Sequence, residues 1–301
     1  MHSSKKVIGT HNGIFHEDDV LAIALLNIYY DGEITVVRSR EPKVLETCDV
    51  LVDIGGGKFD HHMAGNKKLT ANNLPYASAG LVWKVFGFDI LKKLGADEES
   101  IPTLLEDIDE DFVQPVDVKD NGILSDSPLS FVENFLPSWN SPSQNFDSCF
   151  FKVLDVVIKV TSAFITQQIA TARARAEILN CIAHMSSSSN ILFLPCQNIP
   201  WQQTIVDFNE TTHSGGTIDF VAFPYPAGGY AAQSVPNKNS MFSKRIPFPE
   251  LWAGESDRLP AICGIDDATF CHSGRFFIRA NSKESIIMLC ELATKIHKHL
   301  S

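Results

Sequence analysis

The chain has 301 residues, 44% of them hydrophobic, enough apolar material for two separately cored lobes, which excludes a disordered polar chain. Its 36 acidic and 25 basic residues leave a formal charge of -11, which argues against broad electrostatic binding to duplex DNA but leaves room for a local basic cleft. Seven scattered cysteines, never in a CxxC pair, indicate neither a disulfide framework nor a thiolate zinc site and fit a reducing compartment.

In chain order, Met1 to Lys6 is short and polar and does not read as a signal peptide. Lys6 to Thr10 is a β-prone run, His11 to Glu17 a polar loop, and Val20 to Ile28 an apolar stretch that reads as a buried helix. Glu33 to Arg38 and Asp49 to Ile54 are strand-like, and strands alternating with helical runs imply a parallel sheet with helices on both faces. Ser78 to Leu94 and Glu98 to Phe112 have helical spacing, the second ended by Pro115. Ser127 to Ser148, rich in Ser, Pro and Asn, reads as a loop or domain edge.

Cys149 to Met185 contains no Gly or Pro and predicts one long helix or two. Ser186 to Ser189 reads as a linker, placing one lobe at 1–185 and a smaller one at 190–301. In the smaller lobe, residues 191–196, 219–225, 230–235 and 275–280 are strand-like and Ser282 to Leu300 is helical. The expected fold is therefore α/β in both lobes. No apolar run reaches membrane-spanning length, so no membrane partner is expected.

Acidic and imidazole residues recur where elements of the first lobe end. His11, His16, Asp18 and Asp19 follow the first strand, Asp53 ends the third, Asp60, His61 and His62 follow three glycines, and Asp117 and Asp120 follow Pro115. Each has an ordinary explanation: Asp18 and Asp19 as helix caps, Asp53 as a turn residue, His61 and His62 as surface histidines, Asp120 in a DNG turn. Together they read differently. The carboxyl ends of parallel strands converge on one crevice, where these side chains supply imidazole and carboxylate ligands without thiolate.

Asp60-His61-His62 after a strand ending in Asp53 resembles the signature of the DHH phosphoesterase superfamily. Residues 8–26, 52–63, 78–83 and 116–123, with further similarity at 194–202 and 270–278, resemble the melanocyte proliferating gene family of exonuclease-like proteins. The resemblance implies a DHH-type catalytic lobe and a metal-dependent phosphodiesterase. It implies a 3′-to-5′ exoribonuclease of the nucleus and mitochondrion, with single-stranded RNA or a short oligonucleotide as partner. Two divalent ions, Mn²⁺ first with Mg²⁺ or Zn²⁺ as alternatives, would be the cofactors.

Carried over residue by residue, the resemblance puts His11, His16 and Asp53 on one ion and Asp18, Asp53, His61 and Asp117 on the other, with Asp53 bridging. Many DHH enzymes carry an aspartate near the place of His16, so this set is open by one residue, and Asp120 is the alternative to Asp117. Asp60 would orient a ligand histidine, His62 would face the substrate phosphate, and Asp19 would cap the helix. A glycine-rich substrate loop has two candidates: 213–216, and His272, Ser273, Gly274 and Arg275, with Arg245 as a further phosphate contact. Two rival readings are a hydrolase of small phosphate compounds and a metal-bound interaction module without turnover. Self-association is left open, and no HExxH motif supports peptide cleavage.

Overall fold

The computed structural model describes residues 5–62, 70, 73–141, 145–211, 217–238 and 240–300. The chain forms two compact units, Met1–Ala172 and Arg173–Ser301. Among the described residues no helix is long and apolar enough to cross a membrane.

Unit 1 is built on three parallel strands, β1 (Lys6–Thr10), β2 (Ile34–Arg38) and β3 (Val50–Leu51), in the order β2-β1-β3. Between β1 and β2 runs α1 (Glu17–Tyr29), whose residues Val20 to Leu26 are at most 1% exposed. A helix apolar on every side must be covered on every side, so α1 lies at the centre of the core. A short α2 (Pro42–Leu45) links β2 to β3. The helix α3 (Ser78–Lys93) packs along α1 and brings Val82, Trp83, Ile90 and Leu91 into the same core.

The segment around Pro115 departs from the expected stop. The helix α4 (Ile101–Ile108) passes through a wide π turn at Asp109–Val113 into α5 (Gln114–Asp120). Proline cannot donate to the turn before it, and here it occupies the first turn of α5, where that donor is not needed. Asp117 and Asp120 therefore project from a helix. Asn121 and Gly122 (φ 79°) close α5 in a C-terminal cap, the Gly122 and Ile123 N–H groups donating to Lys119 and Val118. Ser127 to Ser148 is likewise more than an edge: Leu129 and Val132 are fully buried against the unit 1 core.

The helix α6 (Phe146–Ala183) is one unbroken helix of 38 residues, and the division between the units falls within it. Unit 2 holds β4 (Ile191–Phe193), α7 (Gln202–Thr211), β5 (Phe220–Pro224) and β6 (Tyr230–Ser234), then a small ribbon β7 (Pro236–Asn237) and β8 (Ser240–Lys244). It closes with α8 (Leu259–Cys263), β9 (Ala268–Cys271), β10 (Phe277–Ala280) and α9 (Lys283–Leu300). Its sheet runs β4-β5-β6-β10-β9, with β4 parallel to β5 and the other pairs antiparallel. The 213–216 loop lies outside the described residues. All seven cysteines are free thiols.

Candidate metal centre

The carboxyl ends of β1 and β3 open onto one crevice, and the chain leaves each strand through a local device that aims side chains into it. After β1, His11 keeps Nδ1 3.2 Å from the Asn12 carbonyl, which fixes the ring and turns Nε2 inward. At the start of α1 the His16 N–H donates to Asp19 Oδ1 at 3.0 Å, which is the capping role expected of Asp19. Its other oxygen, Oδ2, lies 3.4 Å from His11 Nε2. After β3, Asp53 sits at φ 56°, a left-handed conformation that aspartate tolerates at some cost, and Gly55 and Gly56 complete the turn. Two polar contacts hold the turn: Asp53 N–H to the Phe59 carbonyl at 3.0 Å and Gly56 N–H to Asp60 Oδ2 at 2.7 Å.

Asp53 is the hub. Its Oδ2 lies 3.2 Å from His11 Nε2; its Oδ1 lies 3.3 Å from both His61 Nε2 and His62 Nδ1, and accepts the Ser78 hydroxyl at 3.1 Å. Among the described residues, three sets of ligand atoms gather within 4.8 Å of one another: His11, His16 and Asp53; Asp53, His61 and His62; and His16, Asp18 and Asp120. His61 Nε2 is 3.1 Å from Asp120 Oδ2 and 3.9 Å from Asp18 Oδ2.

Asp117 is in none of these sets. Its Oδ1 accepts the Gly80 N–H at 3.1 Å, and a Cβ on Gly80 would stand 2.0 Å from Oδ2, so the glycine lets the carboxyl reach the α3 backbone. Of the two alternatives, Asp120 faces the imidazoles. Asp60 orients a histidine, and that histidine is His62: it accepts from the His62 N–H at 3.0 Å and lies 3.1 Å from Nδ1. His62 is 63% exposed at the mouth, whereas His61 is 9% exposed.

Electrostatics separates these groups. Burial alone would raise Asp53, but His11 and His61 outweigh it and hold the carboxyl well below the usual range. Burial would lower His61, yet the carboxylates of Asp120 and Asp53 push it to about 10. Asp18, fully buried among Asp53, Asp120, Asp19 and Asp117, is raised well above the ordinary range; burial raises Asp19 to about 7 and Asp117 to about 8.

These residues fit a cation. Asp18 Oδ1 and Asp117 Oδ2 are buried without a hydrogen-bond partner, while Asp19 Oδ2 and His61 Nε2 are buried with ion-pair contacts alone, at 3.4 Å for Asp19 and from 3.1 Å for His61. Orphaned oxygens are rare in a folded interior because desolvation costs each about 1–3 kcal/mol. Burial would lower His11, yet its hydrogen bond to Asp53 and the charge of Asp19 raise it, so these carboxylates draw positive charge to this position. Carboxylate and imidazole donors without thiolate suit Mn²⁺, Mg²⁺ or Zn²⁺.

Two arginines escaped the sequence reading. Arg40 follows β2, whose carboxyl end opens onto the same crevice, and lines a cavity of about 620 Å³ together with His11, His16, Asp53, Asp60 and His62. The signal was positional, a cation just past the end of a parallel strand. Arg38, by contrast, is buried: it pairs with Asp147 at 2.6 Å, donates to the Gly13 carbonyl at 2.8 Å and lies 4.3 Å over the Phe150 ring. It ties the His11–His16 loop to α6.

In unit 2, His272, Ser273, Gly274 and Arg275 form the turn between β9 and β10. The Arg275 N–H donates to the His272 carbonyl at 2.8 Å and the Gly274 N–H to His272 Nδ1 at 2.9 Å. Arg275 stands at φ 55°, unusual for a residue with a long side chain. Arg245 is engaged, its Nε donating to Asp219 Oδ1 at 2.9 Å.

A unit with a parallel sheet and an acid and imidazole cluster at its strand ends belongs to the broad class of α/β proteins that hold ligands at that edge. The particular family follows from sequence comparison. The profile of the MYG1 exonucleases, described as "Uncharacterised protein family (UPF0160)", matches residues 7–294, and the chain belongs to this family. The MYG1 exonuclease of Homo sapiens is 31% identical over 94% of this chain and 84% of its own length. That of Mus musculus is 31% identical over 93% and 82%, and the MYG1 protein YER156C of Saccharomyces cerevisiae 29% over 96% and 95%. No solved structure matches the chain.

Proposed function

We propose that this chain is a hydrolase of phosphodiester bonds, a divalent-metal-dependent exonuclease of DHH type that shortens single-stranded RNA from the 3′ end. The observation that carries the reading is the buried cluster of carboxylates and imidazoles around the Asp53 hub, with Asp18 Oδ1 left unpartnered within it. Relatives named MYG1 exonuclease support the reaction class, and the resemblance to exoribonucleases supports the polarity.

His11, His16 and Asp53 would hold one ion, and Asp53, His61, Asp18 and Asp120 the other. Two ions bound there, Mn²⁺ by preference, would supply charge neutralisation at the phosphoryl oxygens and an activated water. Among the described residues, Asp53, within reach of three imidazoles, is the carboxyl that belongs to two of the ligand sets and so could serve both positions. Asp60 engages His62 at Nδ1, so Nε2 is the atom through which His62 donates to a phosphate oxygen or hands a proton to the departing hydroxyl. Arg40 offers forked donors to the phosphate at the cavity wall. Arg275 and His272 would grip the strand.

The test is the product series from a 5′-labelled single-stranded RNA with Mn²⁺. Stepwise shortening with release of mononucleotides, lost in Asp53→Ala and His61→Ala, is expected. Internal fragments at the earliest times would overturn exonuclease action. Rapid clearance of dinucleotides with longer strands untouched would replace it with hydrolysis of small phosphate compounds.

A further inference from the structure

Side chains along a strand alternate between faces, and the two faces of the unit 2 sheet differ. On one face Ile278 and Ala280 of β10, Cys271 of β9 and Ala232 of β6 enter a core shared with Leu259 of α8 and Leu289 of α9. On the other, the β4 and β5 side is filled by Leu192, Val221 and Phe223 with Trp201 and Ile205. Tyr225 and Phe277 pack partly against that core, and beyond them the pattern changes. Arg279 stands opposite Phe270 and Ala231, and Phe277 opposite Gln233; Phe270, Phe277 and Arg279 are only half-buried.

These rings form a continuous row. Centroid separations are 6.0 Å from Tyr225 to Phe277, 6.3 Å from Phe277 to Phe270, 6.3 Å from Phe270 to His272 and 4.4 Å from His272 to Phe276. Cations border the row. The Arg279 guanidinium lies 3.9 Å over Tyr225 with its buried Nε unpartnered, Lys244 Nζ is 5.6 Å from the Phe276 ring, and Arg275 occupies the turn. From Ala268 to Ala280 the chain carries two arginines, a histidine and three phenylalanines but no carboxylate, within a protein of net charge -11. A row meant only for packing needs no such local reversal of charge.

We infer that this face of unit 2 is a stacking platform for single-stranded nucleic acid, with bases on Phe270 and Phe277 and backbone phosphates on Arg279 and Arg275. Every base has a π face to stack, and a duplex hides it, so interleaved aromatics and cations select an unpaired strand without reading its sequence. The inference rests on the proposed phosphodiesterase reading and adds the surface that would hold the strand behind its reacting end.

The test separates the two. Binding of a labelled single-stranded RNA of about ten nucleotides is measured by fluorescence anisotropy in EDTA, where no cleavage occurs. Wild-type turnover of bis(p-nitrophenyl) phosphate with Mn²⁺ reports on the metal centre alone. Phe270→Leu, which keeps apolar volume but loses the ring, is expected to weaken binding roughly five- to hundredfold, and Phe270→Trp to retain it. Phe277→Leu should behave as Phe270→Leu, and the edge-strand position of Phe270 keeps the test available if Phe277→Leu misfolds. Leucine variants that bind as wild type, in a protein that turns over the ester, would overturn the platform and leave the proposed function standing. Loss of binding in the leucine variants of a protein inert toward the ester would uphold the platform and overturn the metal-centre reading. A wild type that hydrolyses the ester but binds no single strand would overturn the platform and the RNA substrate together.

Discussion

The crevice of unit 1 and the hairpin of unit 2 gather reactive side chains at opposite energetic cost. Around Asp53 the chain buries carboxyls that repel one another and leaves Asp18 Oδ1 without a partner. Around Phe270 the rings and cations are half-exposed, and the one marked strain is the backbone of Arg275. Groups held against their own repulsion imply a ligand that relieves it, here positive charge. Groups held cheaply at a surface imply a ligand that is gathered weakly over many contacts. Changes in the first region should therefore be all-or-none and changes in the second graded.

The largest effect is expected from Asp53→Ala or His61→Ala. Losing a hub ligand forfeits several kcal/mol of charge stabilisation, on the order of a thousandfold in hydrolysis of any phosphodiester. Circular dichroism should show the fold retained, and normal activity in both variants would erase the contrast. Next come the two alternative aspartates. Asp120→Asn should weaken Mn²⁺ binding roughly 10- to 100-fold, whereas Asp117→Asn, bonded to the α3 backbone, should keep affinity within a few-fold of wild type, as read by isothermal titration.

A third effect is the pH dependence of stability without metal. Carboxyls raised from 3.8 to about 7 and about 8, as in Asp19 and Asp117, hold protons in the folded state that the unfolded chain has released, so stability falls as pH rises from the unfolded value up to these folded values. His61, raised to about 10, adds stability that is full below about 6.5 and lost as pH climbs through its folded value. All three run the same way. The Tm in EDTA should fall between about pH 6 and pH 9, and Mn²⁺ should flatten the fall; a Tm that rises with pH in EDTA would contradict the repulsive cluster.

The smallest effect lies at the hairpin. Arg275→Gly should relieve the left-handed strain and leave thermal stability unchanged or raised by up to about 1 kcal/mol, while weakening RNA binding several-fold. A loss of stability with unchanged binding would make Arg275 a purely structural residue.

Much of this contrast was legible in sequence for one region and little of it for the other. Short-range signals carried unit 1: apolar α1 between β-prone runs, Asp53 before glycines, and Asp60-His61-His62 in direct succession. What sequence could not reveal was which aspartate faces which histidine. Asp117 and Asp120 are one helical turn apart, and the choice depends on a π turn that keeps the chain helical past Pro115 and on Gly80, which opens space for Asp117. Arg40 was hidden because its role follows from strand order. In unit 2, β9 was missed because Ala268 to Cys271 is too short to show alternation, and without β9 the pairing of Phe270 with Arg279 is invisible.

The central claim is that Asp53 joins two cation positions, and counting bound Mn²⁺ per chain by equilibrium dialysis with elemental analysis tests it most directly. The account predicts two ions in the wild-type chain and at most one in Asp53→Asn, with hydrolysis lost in step. Two ions retained at unchanged affinity in Asp53→Asn, or none in the wild type, would contradict it.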